Sequence, residues 1–168
     1  MTLDIRVAKV EDIDELMRLV ASCIERMRMI GIDQWDEVYP DRGTIDADIR
    51  SSAAFLAVLA NEISGLVVMN EHQEPEYADV PWTTHGRAAV VHRLMVSPKV
   101  EGLGVGRALM GFVEKRAIVL GYDCIRLDVF CKNPRAVSFY EGAGYKHAGQ
   151  VRFRKGFFYC LEKAIAAG

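Results

Sequence analysis

The chain has 168 residues, 51% hydrophobic and 26% charged, which suits a single domain (1–168) with a continuous core. Its 21 basic and 23 acidic residues give a net charge of −2, so there is no basic footprint for nucleic acid. No apolar run approaches the ~20 residues that span a bilayer, and the start, Met1-Thr2-Leu3-Asp4-Ile5-Arg6, lacks the basic-then-apolar build of a signal peptide. Cys23, Cys124, Cys131 and Cys160 show no metal-type pairing, and His72, His85, His92 and His147 each stand alone, which argues against zinc. A cytoplasmic protein with free thiols, no metal, no membrane and no nucleic-acid partner is expected.

In chain order, Leu3 to Val7 alternates like a short strand. Ile13, Leu16, Met17, Val20, Ile24 and Met27 then recur at helical spacing, predicting an amphipathic helix over 11–29 that Gly31 stops. Residues 32–45, with Trp35, Tyr39 and Pro40 among acids, read as a loop or broken helix, and Thr44 to Ser51 as a candidate short helix. Phe55–Ala60 and Ile63–Met69 are apolar runs around Asn61-Glu62, a hairpin pattern. The polar stretch 70–87 is the longest loop, and Ala88–Val96 a strand. Val105, Ala108, Leu109, Phe112, Val113, Ala117 and Leu120 mark a helical stripe that Gly121 terminates. Cys124–Phe130 reads as a strand and Pro134–Glu141 as a helix, with Asn133 as N-cap and Pro134 at its first position. A strand pair over roughly 145–163 closes the list of elements.

The segment from Leu94 to Leu109 carries the most information. It reads as a buried strand, a turn holding Gly102, Gly104 and Gly106, and the first turn of a helix. Glycines let backbone N–H groups approach a ligand closely, and the helix adds its unpaired N–H groups and positive dipole end. Such a turn suits a phosphate or pyrophosphate; the plainer alternative is a merely flexible turn. A dinucleotide fingerprint does not fit, because Ser97–Glu101 separate strand from glycines and the third-glycine position falls on Arg107 or Leu109. A P-loop does not fit either, since Gly106 is followed by Arg107-Ala108 rather than Lys-Ser/Thr.

Leu94-Met95-Val96, Ser97-Pro98 and Gly104-Val105-Gly106 resemble the cofactor motif of the GNAT acetyltransferases. Leu127 to Tyr145, with Asn133, Tyr140 and the exit Gly144-Tyr145, resembles the second block of that family, and Gly31-Ile32-Asp33-Gln34-Trp35 with Tyr39-Pro40 resembles a bacterial branch. The similarity covers roughly residues 3–163. Glu101 departs from the pattern, standing where the family usually has Arg or Gln; it is expected to turn to solvent. The resemblance implies an α/β (α+β) fold: a mixed, mostly antiparallel sheet of six or seven strands, helices on both faces, and a parallel pair, Ala88–Val96 with Cys124–Phe130, that splays apart.

The resemblance also implies acetyl-CoA as cosubstrate, held by Leu94, Met95 and Val96, by the turn Gly102, Leu103, Gly104, Val105, Gly106 and Arg107, and by Asn133 and Tyr140. Acetyl transfer to an amine needs a held thioester, an uncharged amine and help for the departing thiolate. Tyr140, seven residues after Asn133, matches the spacing of the family's acid; from its helix alone it reads equally as a core aromatic beside Phe139. For the base three readings stand: His92, two residues before the triplet, whose type has an unperturbed pKa near 6.5; Asp128, on the splayed neighbour; or a water chain with no single side chain. Trp35, Tyr39, Tyr77 and Trp82 fall in the variable regions that would flank the thioester. Trp35, Tyr39 and Trp82 are the acceptor-site candidates, with satellite packing as the alternative. The expected activity is N-acetylation of a small-molecule or peptide amine by a monomer or homodimer. The competing function is an acetyl-CoA sensor without turnover.

Overall fold

The structure, a computed structural model, describes residues 2–165; Met1 and residues 166–168, which the single-domain expectation includes, lie outside them. Among the described residues the strands are β1 (Leu3–Val7), β2 (Ala54–Leu59), β3 (Glu62–Asn70), β4 (Ala88–Val96), β5 (Cys124–Phe130), β6 (Lys146–Phe153) and β7 (Gly156–Ala164). The α-helices are α1 (Ile13–Met29), α2 (Arg42–Arg50), α3 (Val105–Val119) and α4 (Pro134–Gly142). The strands form one seven-stranded mixed sheet in the order β1-β2-β3-β4-β5-β7-β6. The β4–β5 pair is parallel, and the pairs β1–β2, β2–β3, β5–β7 and β6–β7 are antiparallel. This is the α/β architecture with a parallel pair that the resemblance implied.

By internal packing the chain divides into two units. The first comprises the chain up to Met69 together with Arg93–Val113. Its core sets Leu16, Leu19, Val20 and Ile24 of α1 against Ile45 and Ile49 of α2 and against Leu56, Leu66 and Val68 of β2 and β3. Burying a side chain of this size is worth about 1.5–3 kcal/mol, so the stripe at helical spacing accounts for α1. The helix stops at Gly31, whose φ of 80 lets the Ile32 N–H turn back to the Met27 carbonyl at 2.8 Å. Helix α2 begins two residues earlier than the spacing suggested, because the Asp41 side chain accepts from the Thr44 N–H at 2.8 Å and caps it. The β2–β3 turn centres on Ala60-Asn61, with φ of 51 and 63, one residue before the expected centre.

The second unit comprises Asn70–His92 and the chain from Glu114 onward. Tyr77, Val80, Val90, Val151 and Cys160 form its buried cluster, with Trp82, Phe153 and Phe158 packed against it. Asn133 caps α4 as predicted, its side-chain oxygen accepting from the Ala136 N–H at 3.2 Å. The β4–β5 register runs from Ala88↔Cys124 through Ala89↔Ile125 to Val90↔Arg126, whereas β5 pairs with β7 over its whole length, to Phe130↔Phe158.

Candidate active site

In the first unit the end of β4 leads into the glycine turn. Arg93 has a φ of 51, a left-handed residue inside the strand, immediately before Leu94-Met95-Val96. The Ser97 N–H then donates to the Ser64 carbonyl at 2.8 Å, and a single 3-10 turn, Pro98–Val100, follows. Gly102 and Gly104 have φ of 80 and 84, and a Cβ added at either would meet nothing within 4 Å. What demands glycine at these two positions is therefore the left-handed backbone, and the space beside them stays open. Gly106 lies inside α3.

The first hydrogen bond of α3 runs from the Ala108 N–H to the Gly104 carbonyl at 3.0 Å. The N–H groups of Val105, Gly106 and Arg107 therefore lack an intrahelical acceptor, at the positive end of a fifteen-residue helix. Open space, left-handed glycines and unpaired donors fit a pyrophosphate. Sequence reading missed the residue that seats this helix. A Cβ on Gly65 would come within 2.9 Å of Leu109 Cδ1, 3.0 Å of the Met95 carbonyl oxygen and 3.1 Å of Val105 Cγ1. Glycine in β3 thus lets α3 pack down beside Met95.

Glu101 is exposed, as expected, and its carboxylate also meets Arg26 of α1, with Nε at 3.2 Å from Oε1 and Nη2 at 3.4 Å from Oε2. The departure from the family pattern is thus paired with a cation from another element. Also from α1, the Cys23 thiol donates to the Val96 carbonyl at 3.4 Å. Burial, with the Glu101 charge adding to it, pushes Cys23 up to about 12, so it remains a thiol.

The second unit holds the titratable candidates. Asn70 Oδ1 accepts from the His72 main-chain N–H at 2.9 Å, which identifies the atom as oxygen, and lies 2.8 Å from His92 Nε2. In the neutral ring Nε2 therefore carries the proton and the lone pair sits on Nδ1. Asp128 Oδ2 accepts from the Tyr77 hydroxyl at 2.5 Å. Burial, reinforced by the Asp128 charge, pushes the Tyr77 pKa far up, which keeps it the donor. Tyr140 is 8% exposed, edge-on to Phe139 at 5.2 Å and to Tyr145 at 5.9 Å. Burial first, and the Asp128 charge second, raise its pKa above that of a free phenol.

The aromatic candidates separate. Trp82 is committed to packing: its indole N–H donates to the Tyr77 carbonyl at 3.0 Å, its ring lies 5.3 Å from Tyr77, and the Arg126 guanidinium sits 4.5 Å above it. Trp35 packs against the first unit's core, and Tyr39 accepts from Arg93 Nη1 at 2.7 Å. A cleft of about 610 Å³ opens in the first unit, lined by Met17, Val20 and Ile24 and by the charged residues Arg28, Asp36 and Arg42. Arg26, Asp48 and Gly65 carry contacts that the linear sequence did not single out. Only the family's usual Arg/Gln at the Glu101 position hinted that a cation was missing. Among the described residues no group of three or more His, Cys, Asp or Glu is arranged to hold a metal, and no helix is long and apolar enough to cross a membrane.

A strand triplet leads through left-handed glycines into a helix N-terminus, on a sheet with a parallel β4–β5 pair. The acetyltransferase (GNAT) family model matches residues 16–145, and the chain belongs to that family of acyltransferases. Its fold is shared with a GNAT-family acetyltransferase from Streptococcus agalactiae, at 24% identity over 96% of this chain and 95% of that one, with a TM-score of 0.85. A GNAT-family acetyltransferase from Listeria monocytogenes is similar at 21% identity over 96% and 94%, with a TM-score of 0.77. The PaiA N-acetyltransferase of Thermoplasma acidophilum, solved in complex with coenzyme A, is similar at 18% identity over 98% and 99%, also at a TM-score of 0.77.

Proposed function

We propose that this protein transfers an acetyl group from acetyl-CoA to a primary amine of a small molecule or peptide, by direct attack of the amine on the thioester. The observation that carries the reading is the turn from Gly102 to Arg107, where left-handed glycines open onto the unpaired N–H groups of α3. Val105, Gly106 and Arg107 hold the pyrophosphate, and main-chain groups of Leu94–Val96 align the pantetheine arm. Acetyl-CoA supplies the activated acyl carbon.

Tyr140 donates a hydrogen bond, and then its proton, to the sulfur as the C–S bond opens. Burial, with the Asp128 charge, raises its pKa, which favours the protonated hydroxyl that an acid requires. A lysine-type amine, with a pKa near 10.4, arrives mostly protonated at neutral pH, so a base must take its proton. His92, through Nδ1, is the first candidate, since Asn70 fixes its tautomer. Asp128, oriented by Tyr77, is the second, and a water chain the third. Asn133 acts through its cap, which sets the start of the helix that carries Tyr140. Tyr39 and Trp35 border the acceptor, and Trp82 acts only through Tyr77. The free cysteines suit a reducing cytoplasm.

The test is thiol release from acetyl-CoA across a panel of primary amines, starting with those that carry an apolar body, with the product identified by mass. Amine-dependent release with an acetylated product supports the reading. Saturable acetyl-CoA binding with no release for any amine turns it into the sensor reading.

A further inference from the structure

Two departures from ordinary strand chemistry coincide at Arg93. Its φ of 51 is left-handed, although the residue carries a Cβ and lies inside a nine-residue strand. Such a backbone is strained, and it persists only where the surroundings over-determine it. The second departure is a buried ion pair. Arg93 Nε donates to Asp48 Oδ2 at 2.7 Å and Nη2 to Asp48 Oδ1 at 2.6 Å, and the two side chains are only 10% and 9% exposed. The remaining prong, Nη1, donates to the Tyr39 hydroxyl at 2.7 Å.

As a stabiliser this cluster is a poor choice, because apolar residues of the same volume serve a core as well or better. Its geometry suits another task. A bidentate fork fixes the direction of the guanidinium as well as its position, and α2 and the loop before it hold the two acceptors. The clamped residue directly precedes Leu94-Met95-Val96. A change of φ at residue 93 would rotate every main-chain group of that triplet.

We propose that Arg93, Asp48 and Tyr39 form a positioning device that locks the left-handed turn in β4 and so sets the angle at which the Leu94–Val96 main chain meets the pantetheine arm. The inference rests on the acetyl-transfer reading. It also makes Tyr39 a link between the loop around Pro40 and the thioester strand.

Two double variants isolate the effect. Asp48→Ala/Arg93→Ala and Asp48→Ala/Arg93→Gly both remove the ion pair without leaving a buried charge unpaired. They differ in whether residue 93 takes a left-handed backbone without strain. Acetyl-CoA affinity is read by calorimetry, at a temperature well below the melting point of both proteins. The Ala form is expected to bind about tenfold weaker than the natural protein and the Gly form within about threefold of it, the spread that a strained left-handed residue supports. Equal affinity in the two forms overturns the proposal, whether both match the natural protein or both are equally weak. If either fails to fold, Arg93→Lys keeps Asp48 paired but loses the fork. About threefold weaker acetyl-CoA with a near-natural melting temperature then supports the proposal, and natural affinity overturns it. A natural protein that takes up no acetyl-CoA sinks the acetyl-transfer reading instead, before any variant is compared.

Discussion

The two units of this chain are built from different chemistry. In the first, the candidate cofactor contacts are main-chain N–H donors of Val105, Gly106 and Arg107 and the backbone of Leu94–Val96, and the side chains around them serve to set φ values and packing. In the second, the candidates are side chains with specific partners: His92 with Asn70, Asp128 with Tyr77, and Tyr140 between Phe139 and Tyr145. A backbone site is sensitive to conformation and indifferent to most side-chain identities. A side-chain site is sensitive to a single atom. Binding and turnover should therefore fail separately.

The largest expected effect tests the side-chain half. Tyr140→Phe keeps the ring and its edge-on contacts but removes the proton. It should lower kcat by roughly 10² to 10⁴, the usual worth of acid–base assistance, with acetyl-CoA affinity and melting temperature little changed. Because burial and the Asp128 charge raise the Tyr140 pKa, the natural enzyme should stay active beyond pH 10, the ordinary phenol value. Unchanged turnover in Tyr140→Phe would reduce the residue to packing.

Gly65→Ala probes the backbone half through its support. The new Cβ would crowd Leu109 Cδ1 at 2.9 Å and the Met95 carbonyl at 3.0 Å. Overpacking of this kind costs about 1–3 kcal/mol, so a lower melting temperature is expected together with weaker acetyl-CoA binding as α3 is pushed from its seat. Gly104→Ala should weaken acetyl-CoA by about tenfold, since a left-handed L-residue costs about 1–2 kcal/mol. Its kcat at saturation should hold.

A subtler experiment sharpens the choice of base. Tyr77→Phe removes a donor to Asp128. A donor to the ionised carboxyl favours ionisation, so its loss should move an Asp128-governed acidic limb of the pH–rate profile to higher pH. A limb that stays in place, together with a greater loss in His92→Ala at pH 7 than at pH 9, gives the role to His92. If neither variant moves the limb, a water chain does the work. The smallest effect belongs to Glu101→Gln, which releases Arg26 from a half-exposed pair. Acetyl-CoA should bind equally or tighter, by no more than ~1 kcal/mol, the scale of an exposed ion pair. Markedly weaker binding would show that the Glu101 charge itself supports the turn.

Much of this was legible in the sequence because it is local. Asn133 and Pro134 announced a helix start, Gly31 and Gly121 announced stops, and the glycine spacing after Pro98 announced the turn. The hairpin centre was misplaced by one residue because Ala60 takes a left-handed φ that its identity does not suggest. The start of α2 was readable in principle, since Asp41 and Thr44 stand at cap spacing. What linear reading could not supply are the pairs distant in sequence: Arg26 with Glu101, Asp48 with Arg93, and Tyr77 with Asp128. Each joins residues that no periodicity relates, and each touches a residue already suspected of a role or standing directly beside one. Gly65 belongs with them, because its neighbours Leu109 and Met95 arrive only through tertiary packing.

One paired measurement tests the division of labour most directly: acetyl-CoA affinity by calorimetry and kcat by thiol release, both determined for Gly104→Ala and for Tyr140→Phe. The account predicts a crossed pattern, with Gly104→Ala losing affinity and keeping kcat, and Tyr140→Phe keeping affinity and losing kcat. Loss of both quantities together in each variant, or of neither in Tyr140→Phe, would contradict it.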